Sequence, residues 1–511
     1  IAVGLALITA LLLPLNLLTT QRFHHDEALY ATWALEISSG QNPWLTSVPI
    51  DKPPLFLYTI ALAMYFLGVT ETAARAPSFV ATAVTILLTF YLGQMLYSRR
   101  AGLLAAWLVA LSPFSILFTP TALTDPLLVM LVMAACLLAV RLQSGWAGLF
   151  IGLAIATKQQ GVFFIPLPTM LLILSVWRID SRNLPSFVSA FPFRPVVHFF
   201  SIGILISVIT FVWDSQRQQL PGFWQMSLLN YGGISSQTAN FTERWWGFID
   251  LLTYGTASPI LHWIFIVGLP LLLIHGGVNL YHQRKDRLSK TSISNTQFVG
   301  ATALAIDLVI TVYALIFLFG HSLLSFQIWD RYLLGLIPFL ALLLARILWL
   351  PEELLRIFLQ KKASEILHFT RAIFGVGLII LLLATLRGPV QDAVNGRYPL
   401  GSNSGALQGI EQVTAYLQGN VGANHTLYHR WLGTHWRFYL WDYPYDLQHW
   451  SSPEDLALQA ESGHLIIFPT WHSETEVRLV LAEQGLILQE VMRAYGSKGY
   501  PTIILYQIDL E

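Results

Sequence analysis

Cysteine and charge are what this chain has least of. Its 511 residues hold one cysteine, Cys136, set inside an apolar run. A lone thiol excludes an intramolecular disulfide framework and a thiolate metal cluster. Asp, Glu, Lys and Arg make up only 11% of the chain, and 29 cations balance 29 anions. No global basic field therefore draws it to nucleic acid. Disorder is excluded as well, because a disordered chain needs low hydrophobicity and high charge. No Gly-rich nucleotide cradle of the usual spacing is present, so no nucleotide cofactor is expected. What is abundant is apolar: 55% of residues, against ~45–50% in soluble domains, which also carry ~25% charge. The chain is not a water-soluble globule throughout. It starts at Ile1 rather than Met, so the natural N-terminus is expected upstream.

A membrane span needs ~20 mostly apolar residues. Residues 1–20, 77–97, 102–119, 126–140, 145–157, 161–177, 197–213, 259–280, 298–319, 332–349 and 372–388 meet or approach that length. They predict a polytopic α-helical membrane protein with about 11 visible spans, since helices satisfy their own backbone in lipid. Residues 1–20 are too long for a signal peptide and lack its small-residue cleavage site. Basic residues set the orientation. Arg99, Arg100, Arg141, Arg178, Arg182 and Arg194 fall on one side, followed by Arg284, Lys285, Arg287, Lys290, Arg346, Arg356, Lys361, Lys362 and Arg371. The opposite connections hold only Lys158, Arg217, Arg244 and Arg331. The first side is expected to be cytoplasmic, in a plasma (inner) membrane, and the second outward. Residues 55–70, LFLYTIALAMYFLGVT, are short for a span and are read as interfacial or re-entrant. The loops holding Asp26, Asp51 and Asp125 then face outward together.

Composition changes near residue 389, beyond which lie nearly half of the 29 acidic residues. Helical spacing (Leu407, Ile410, Val413, Leu417) alternates there with strand-like runs at His464–Phe468 and Thr502–Ile508. Ser473 and Glu476 have capping-box spacing before a helix that stops at Gly485, and a hairpin is expected around Gly496–Gly499. Residues 1–388 therefore read as a membrane domain and 389–511 as a small extracytoplasmic α/β domain.

The chemistry-bearing residues sit at span ends. His24-His25-Asp26-Glu27 follows the first span, and ALYATWALEISSG after it has helical periodicity with a Gly stop. Acids in a first helical turn also suit the helix dipole, the plainer reading. In Asp51-Lys52-Pro53-Pro54 the prolines hold the chain extended and keep Asp and Lys out of a helix. Such a lysine can hold a phosphate or simply pair with its aspartate. Arg75, Lys158 and Arg331 are cations at outward span ends; each alone could be a snorkelling side chain. Asp125 opens a further span in Thr124-Asp125-Pro126. Cations kept on the side disfavoured by the charge bias suggest a bound anion. Carboxylates Asp26, Glu27, Asp51 and Asp125 with cations Lys52, Arg75, Lys158 and Arg331 would make one outward pocket. A carboxylate there can serve as general base while cations hold a phosphate leaving group.

These segments resemble the polyprenyl-phosphate-sugar-dependent GT-C glycosyltransferases, the superfamily of protein O-mannosyltransferases and lipid A aminoarabinose transferases. The matching segments are Asp26-Glu27, Asp51-Lys52-Pro53-Pro54, Arg75-Ala76-Pro77-Ser78, Thr124-Asp125-Pro126, GLAIATK ending at Lys158, and Arg331-Tyr332-Leu333-Leu334. The resemblance implies a GT-C membrane domain with juxtamembrane helices in its first outward loop. It implies Asp26 as the base that activates the acceptor, with Glu27 supporting it or holding acceptor or metal. Lys52, Arg75, Lys158, Arg331 and Tyr332 would hold the donor phosphate. Asp51 matches a glutamate that is a metal ligand in the aminoarabinose enzymes, and Asp125 would support donor or metal. The loop from Asp214 to Ser258 contains no histidine to complete that metal site, so a divalent metal stays open. Trp441-Asp442-Tyr443 resembles the Trp-Asp-Tyr core of oligosaccharyltransferase catalytic subunits, but Pro444 replaces the glycine, and a small-domain core is the preferred reading.

The expected function is an inverting membrane glycosyltransferase that moves a single hexosyl or pentosyl group. Its expected partners are a polyprenyl-phosphate-sugar donor, an extracytoplasmic acceptor (lipid, glycan or protein) and the bilayer. The alternative is a transporter or flippase for a lipid-linked or anionic substrate. Transporters often carry inverted repeats and midplane charges; here no repeat is evident and the charges sit at span ends. A third reading is a non-catalytic membrane scaffold.

Overall fold

The structure is a computed structural model and describes residues 1–180, 191–217, 221–230, 237–289, 296–359, 364–401, 407–420 and 426–511. Arg182, Lys290, Lys361 and Lys362, used above for orientation, lie outside the described residues. Among those described, eight helices are long and apolar enough to cross a membrane. They are Ala2–Thr20, Glu71–Leu96, Gln159–Trp177, Phe193–Gln216, Pro259–His282, Ala303–Leu323, Asp330–Arg356 and Phe369–Val394. Their outer faces present apolar side chains such as Ile204, Val208, Ile266, Leu271, Ile379 and Leu383. The chain is a multi-pass membrane protein.

Three of the expected spans do not form helices long enough to cross a membrane alone. Residues 102–119 do not form one helix: Arg99–Ala110 ends, Ser112 is extended (ψ 130°), and a new helix starts at Pro113–Phe118. Pro113 has no N–H to continue the ladder and pushes the residue before it out of the α region. Asp125–Val140 and Ser144–Thr157 have 16 and 14 residues, or about 24 and 21 Å at 1.5 Å per residue. Both helices are largely buried inside the bundle. Ser144–Thr157 leans on Phe193–Gln216 so closely that a Cβ on Gly148 would sit 2.1 Å from the Phe199 carbonyl oxygen. Small residues at such a crossing let backbones approach in lipid.

The segment 55–70 forms the helix Leu55–Leu67 of 13 residues. At about 20 Å it is well short of the ~30 Å hydrocarbon core. Phe56, Leu57, Ile60, Ala61 and Met64 are buried, while Leu62, Tyr65 and Phe66 stay exposed.

A small sheet domain closes the chain after the last long helix, which runs to Val394. Its strands are β1 (Thr426–His429), β2 (Asp446–His449), β3 (Leu465–Pro469), β4 (Leu486–Tyr495) and β5 (Pro501–Leu510), in the order β2-β1-β3-β5-β4. β1 runs parallel to β2 and β3, while β5 is antiparallel to β3 and β4. The β4–β5 turn at Gly496–Gly499 is the expected hairpin, and Leu407, Ile410, Val413 and Leu417 are buried together against the sheet. The capping box at Ser473 does not form. The helix is Thr475–Ala482, and the Ser473 hydroxyl accepts from the Thr475 amide, two residues on, instead of three. Trp441 and Tyr443 are 42% and 38% exposed and so are not core, contrary to the preferred reading.

The sheet domain is tied to the first juxtamembrane helix, His25–Ser38, through the helix Gly433–Tyr439. His435 Nε2 donates to the Phe23 carbonyl (3.0 Å), and Thr32 Oγ1 donates to the Thr434 carbonyl (2.8 Å). Phe438 meets the Phe23 ring edge-on at 5.0 Å, and the Tyr439 hydroxyl donates to Glu71. Burial pushes the His435 imidazole down to about 4, so it packs there as a neutral ring.

Candidate active site

The helix His25–Ser38 starts with a capping box. The His24 side chain accepts from the Asp26 amide, and the Glu27 carboxylate accepts from the His24 amide at 2.8 Å. The cap spends Glu27 and leaves the Asp26 side chain free to leave the helix axis. Successive helical positions diverge by about 100°. Glu27 points inward, 3% exposed, and accepts from Arg75 Nε (3.0 Å) and the Ala122 amide (2.7 Å). Arg75 is 1% exposed and donates also to the Gln21 carbonyl (2.9 Å), with its guanidinium 5.1 Å from the Phe23 ring. This pair joins the first loop to the Glu71–Leu96 helix and to the Ala122 turn.

Asp26 points the other way and pairs with Arg331 Nη1 at 2.6 Å. Two more pairs lie within electrostatic range of it: Lys158–Asp125 and Lys52–Asp51, each at 2.6 Å. Lys158 feels the charges of both Arg331 and Lys52, and Asp26 feels Lys52 as well as Arg331. Tyr332, buried at 4%, offers its ring face to Lys158 Nζ at 4.7 Å, and Trp329 does so for the Arg331 guanidinium at 4.0 Å. Of the sequence-selected residues, Asp26, Asp51, Lys52, Asp125, Lys158, Arg331 and Tyr332 therefore converge. Glu27 and Arg75 form the brace beside them.

The titration of the group follows from burial and from this crowding. Burial raises the Asp26 carboxyl, but Arg331, with help from His24 and Lys52, outweighs it and holds the group below the ordinary carboxylate value. Lys158 lies in the turn between the helices Ser144–Thr157 and Pro166–Asp180. Burial pushes its ammonium down to about 8, with Arg331 and Lys52 acting the same way and Asp125 opposing. Three cations held this close favour an anion between them. The carboxylates differ in access: the Asp26 side chain is 28% exposed, Asp51 13% and Asp125 2%. Arg331 also keeps a buried Nε donor with no partner among the described residues. A cavity of about 400 Å³ opens beside it, lined by His24, Gln21, Thr121, Trp329 and Gly401 among others.

Several supports carried no signal in the sequence. Gln159 Nε2 donates to the Asp51 carbonyl (2.8 Å), and Gln160 Nε2 to the Tyr332 carbonyl (3.2 Å), so the turn at Lys158 holds both neighbouring segments. That turn folds back so tightly that a Cβ on Gly161 would lie 2.7 Å from the Ile155 nitrogen. Arg217, 1% exposed, donates to the Leu45 and Val48 carbonyls and pins the loop before Asp51. Only its burial distinguishes it from a snorkelling arginine. Asn230 Nδ2 reaches Asp51 Oδ2 at 3.1 Å.

The residues present do not fit a divalent metal. Asp51 Oδ1 is buried without a partner among the described residues, but Oδ2 is taken by the Lys52 ammonium and Asn230. A fixed ammonium at that distance repels a dication. No group of three or more His, Cys, Asp or Glu suited to a metal occurs among the described residues.

This geometry and fold define a polytopic helical membrane protein with the GT-C architecture. Residues 51–199 match the family described as Dolichyl-phosphate-mannose-protein mannosyltransferase, a stretch that contains Asp51, Lys52, Arg75, Asp125 and Lys158. No curated protein sequence matches the chain. In overall structure it is similar to ArnT from Cupriavidus metallidurans bound to undecaprenyl phosphate. That similarity has 16% identity and a TM-score of 0.59, over 99% of this chain and 97% of that one. Apo ArnT from the same organism gives a TM-score of 0.61 at 16% identity and the same coverage. The Archaeoglobus fulgidus oligosaccharyltransferase is a more distant likeness, with a TM-score of 0.48, 13% identity and coverage of 96% of this chain and 69% of that one. The GT-C resemblance read from the six motifs is borne out at the level of fold.

Proposed function

We propose that the chain is an inverting glycosyltransferase that moves one sugar from a polyprenyl-phosphate donor to an acceptor outside the cytoplasm. The observation that carries the reading is the convergence of Lys52, Lys158 and Arg331 beside Asp26, the most accessible of the three carboxylates they pair with. The similar ArnT structure holds undecaprenyl phosphate, the chemistry such a cation cluster suits. The partnerless Arg331 Nε and the adjoining cavity leave room for the phosphate.

In this mechanism the donor phosphate takes up Arg331 and Lys158. Arg331 then shares its charge between phosphate and Asp26, and the Asp26 carboxylate regains basicity as its partner is drawn off. The acceptor hydroxyl gives its proton to Asp26 while its oxygen forms a bond to the sugar carbon. The bond from that carbon to the phosphate oxygen breaks on the opposite face, and its electron pair leaves with the polyprenyl phosphate. The cations stabilise the added negative charge, so the leaving group needs no proton. Asp125 and Asp51 place Lys158 and Lys52, and the Glu27–Arg75 brace holds the start of the Asp26 helix. The sheet domain, clasped to that helix, stands on the acceptor side.

The test is reconstitution in vesicles with a radiolabelled polyprenyl-phosphate sugar and a panel of envelope lipids, glycans and peptides. Label should move to an acceptor with inverted anomeric configuration. Movement of intact donor across the bilayer without cleavage of the sugar–phosphate bond would replace this reading with the flippase alternative.

A further inference from the structure

The far end of the bundle carries a second charged cavity that the site above does not use. It lies between residues 96–101, the Pro259–Ser289 helix around His275, the Thr296–Leu323 helix around Asp307, residues 346–356 and Arg371. Its volume is about 700 Å³. Along the Glu71–Leu96 helix, Tyr97 stands 22 residues after Arg75, about 33 Å at 1.5 Å per residue. Along the last stretch, Arg346 follows Arg331 by 15 residues, about 23 Å in the same terms. The cavity therefore opens to the leaflet opposite the Asp26 cluster.

Arg99, Arg100, Arg346, Arg356 and Arg371 line it, against three carboxylates, Asp307, Glu352 and Glu353. The carboxylates engage Arg100, Arg346 and Arg371. Arg99 and Arg356 form no ion pair among the described residues. Two further donors in the lining are unspent: Arg346 Nε and Trp349 Nε1 are buried with no hydrogen-bond partner among the described residues. Exposed apolar side chains stand on the same helices: Ile274 (62%) and Val278 (47%) on the helix of His275, and Phe369 (67%) and Ile373 (57%) on the helix of Arg371. Such lipid-facing neighbours suit a headgroup with acyl chains. Arginine clusters between helices on the cytoplasmic side suit anionic lipid headgroups, and the guanidinium fork matches phosphate geometry.

We infer that this cavity is a binding site for the phosphodiester headgroup of an anionic glycerophospholipid, whose acyl chains lie against Ile274, Val278, Phe369 and Ile373. The site is separate from the donor phosphate site and stands whether or not the proposed transfer reaction is right.

Native mass spectrometry of the full chain, loaded with equal phosphatidylglycerol and phosphatidylcholine, tests it. Wild type should retain phosphatidylglycerol preferentially. The double variant Arg99→Gln/Arg356→Gln should lose that retention by roughly 25-fold, at about five-fold per arginine near a charged lipid surface. Lys158→Ala should leave it unchanged. Arg99→Lys/Arg356→Lys keeps the charge and should retain most of the preference, so it decides the matter together with single Arg356→Gln if the double variant does not fold. Equal retention of the two lipids, or unchanged phosphatidylglycerol retention in the charge-removing variants, would overturn the inference. So would a loss confined to Lys158→Ala, which would put the lipid at the Asp26 cluster. Equal thermal stabilisation by inorganic phosphate and by phosphatidylglycerol would assign the cavity to a soluble anion instead.

Discussion

Replacing Asp26 by Asn should separate catalysis from donor binding in opposite directions. Asn keeps the shape of the side chain and an oxygen for Arg331, but it cannot take a proton from a hydroxyl. Loss of a general base costs roughly 10²–10⁴-fold in turnover. Donor affinity should rise. In wild type the carboxylate holds Arg331 at 2.6 Å and stands beside any phosphate that shares it. For two charges about 6 Å apart, with an effective dielectric of about 40 for a partly exposed site, the repulsion removed is about 1.4 kcal/mol, or about tenfold in Kd. Folding should change little. The Asp26 side chain is 28% exposed, so water reaches the pair; Arg331 keeps the Asn oxygen and the nearby charge of Asp125; and the His24 cap engages the Asp26 backbone amide rather than its carboxylate. The assay is single-turnover transfer with saturating donor, alongside titration of polyprenyl phosphate into the purified variant. Wild-type turnover in an Asp26→Asn protein that binds donor would refute the base assignment. A tenfold loss of donor affinity would refute the electrostatic argument, because it would mean that the carboxylate mainly holds Arg331 in place.

Glu27→Gln should instead act on stability: it leaves Arg75 buried with no anion at hand except Glu71, 3.6 Å away. Breaking a buried pair costs about 3–5 kcal/mol, so the unfolding midpoint in detergent should drop well below that of Asp26→Asn; equal midpoints would remove the brace. Lys158→Ala should weaken polyprenyl-phosphate binding at neutral pH. In wild type that affinity should fall as pH rises through about 8, since a lysine with a lowered pKa sheds its charge there; Lys158→Arg should abolish this alkaline limb, and an unaltered limb in Lys158→Arg would assign it to another group. Topology can be read with Trp44→Cys, because Trp44 is 60% exposed and the native Cys136 is fully buried. An impermeant maleimide should label it in intact cells; labelling only after permeabilisation would place the Asp26 loop in the cytoplasm and end the proposed function.

Much of this protein is legible in one dimension. Apolar runs announce a helical bundle because lipid leaves the backbone no other partner, and the eight long spans all fall on runs visible in the sequence. That a small sheet domain follows the last long helix shows in composition and in period-2 patterning, although that helix runs on to Val394. The residue types needed for phosphate and proton chemistry also stand out, since charge is costly at a span end unless it is used. Tertiary structure decided how those charges divide. Asp26 and Glu27 are neighbours in sequence, yet a histidine cap and a rotation of about 100° send Glu27 to Arg75 and Asp26 to Arg331, 305 residues away. No local pattern encodes such a pairing, because its partners meet only when helices from distant parts of the chain pack. Pro113 breaks the expected 102–119 span by its own chemistry, but only the fold, by burying Pro113–Phe118 within protein, makes that break tolerable at membrane depth. Gln159, Gln160 and Arg217 are ordinary polar residues until the fold buries them against backbone carbonyls, where an unmet donor would be costly.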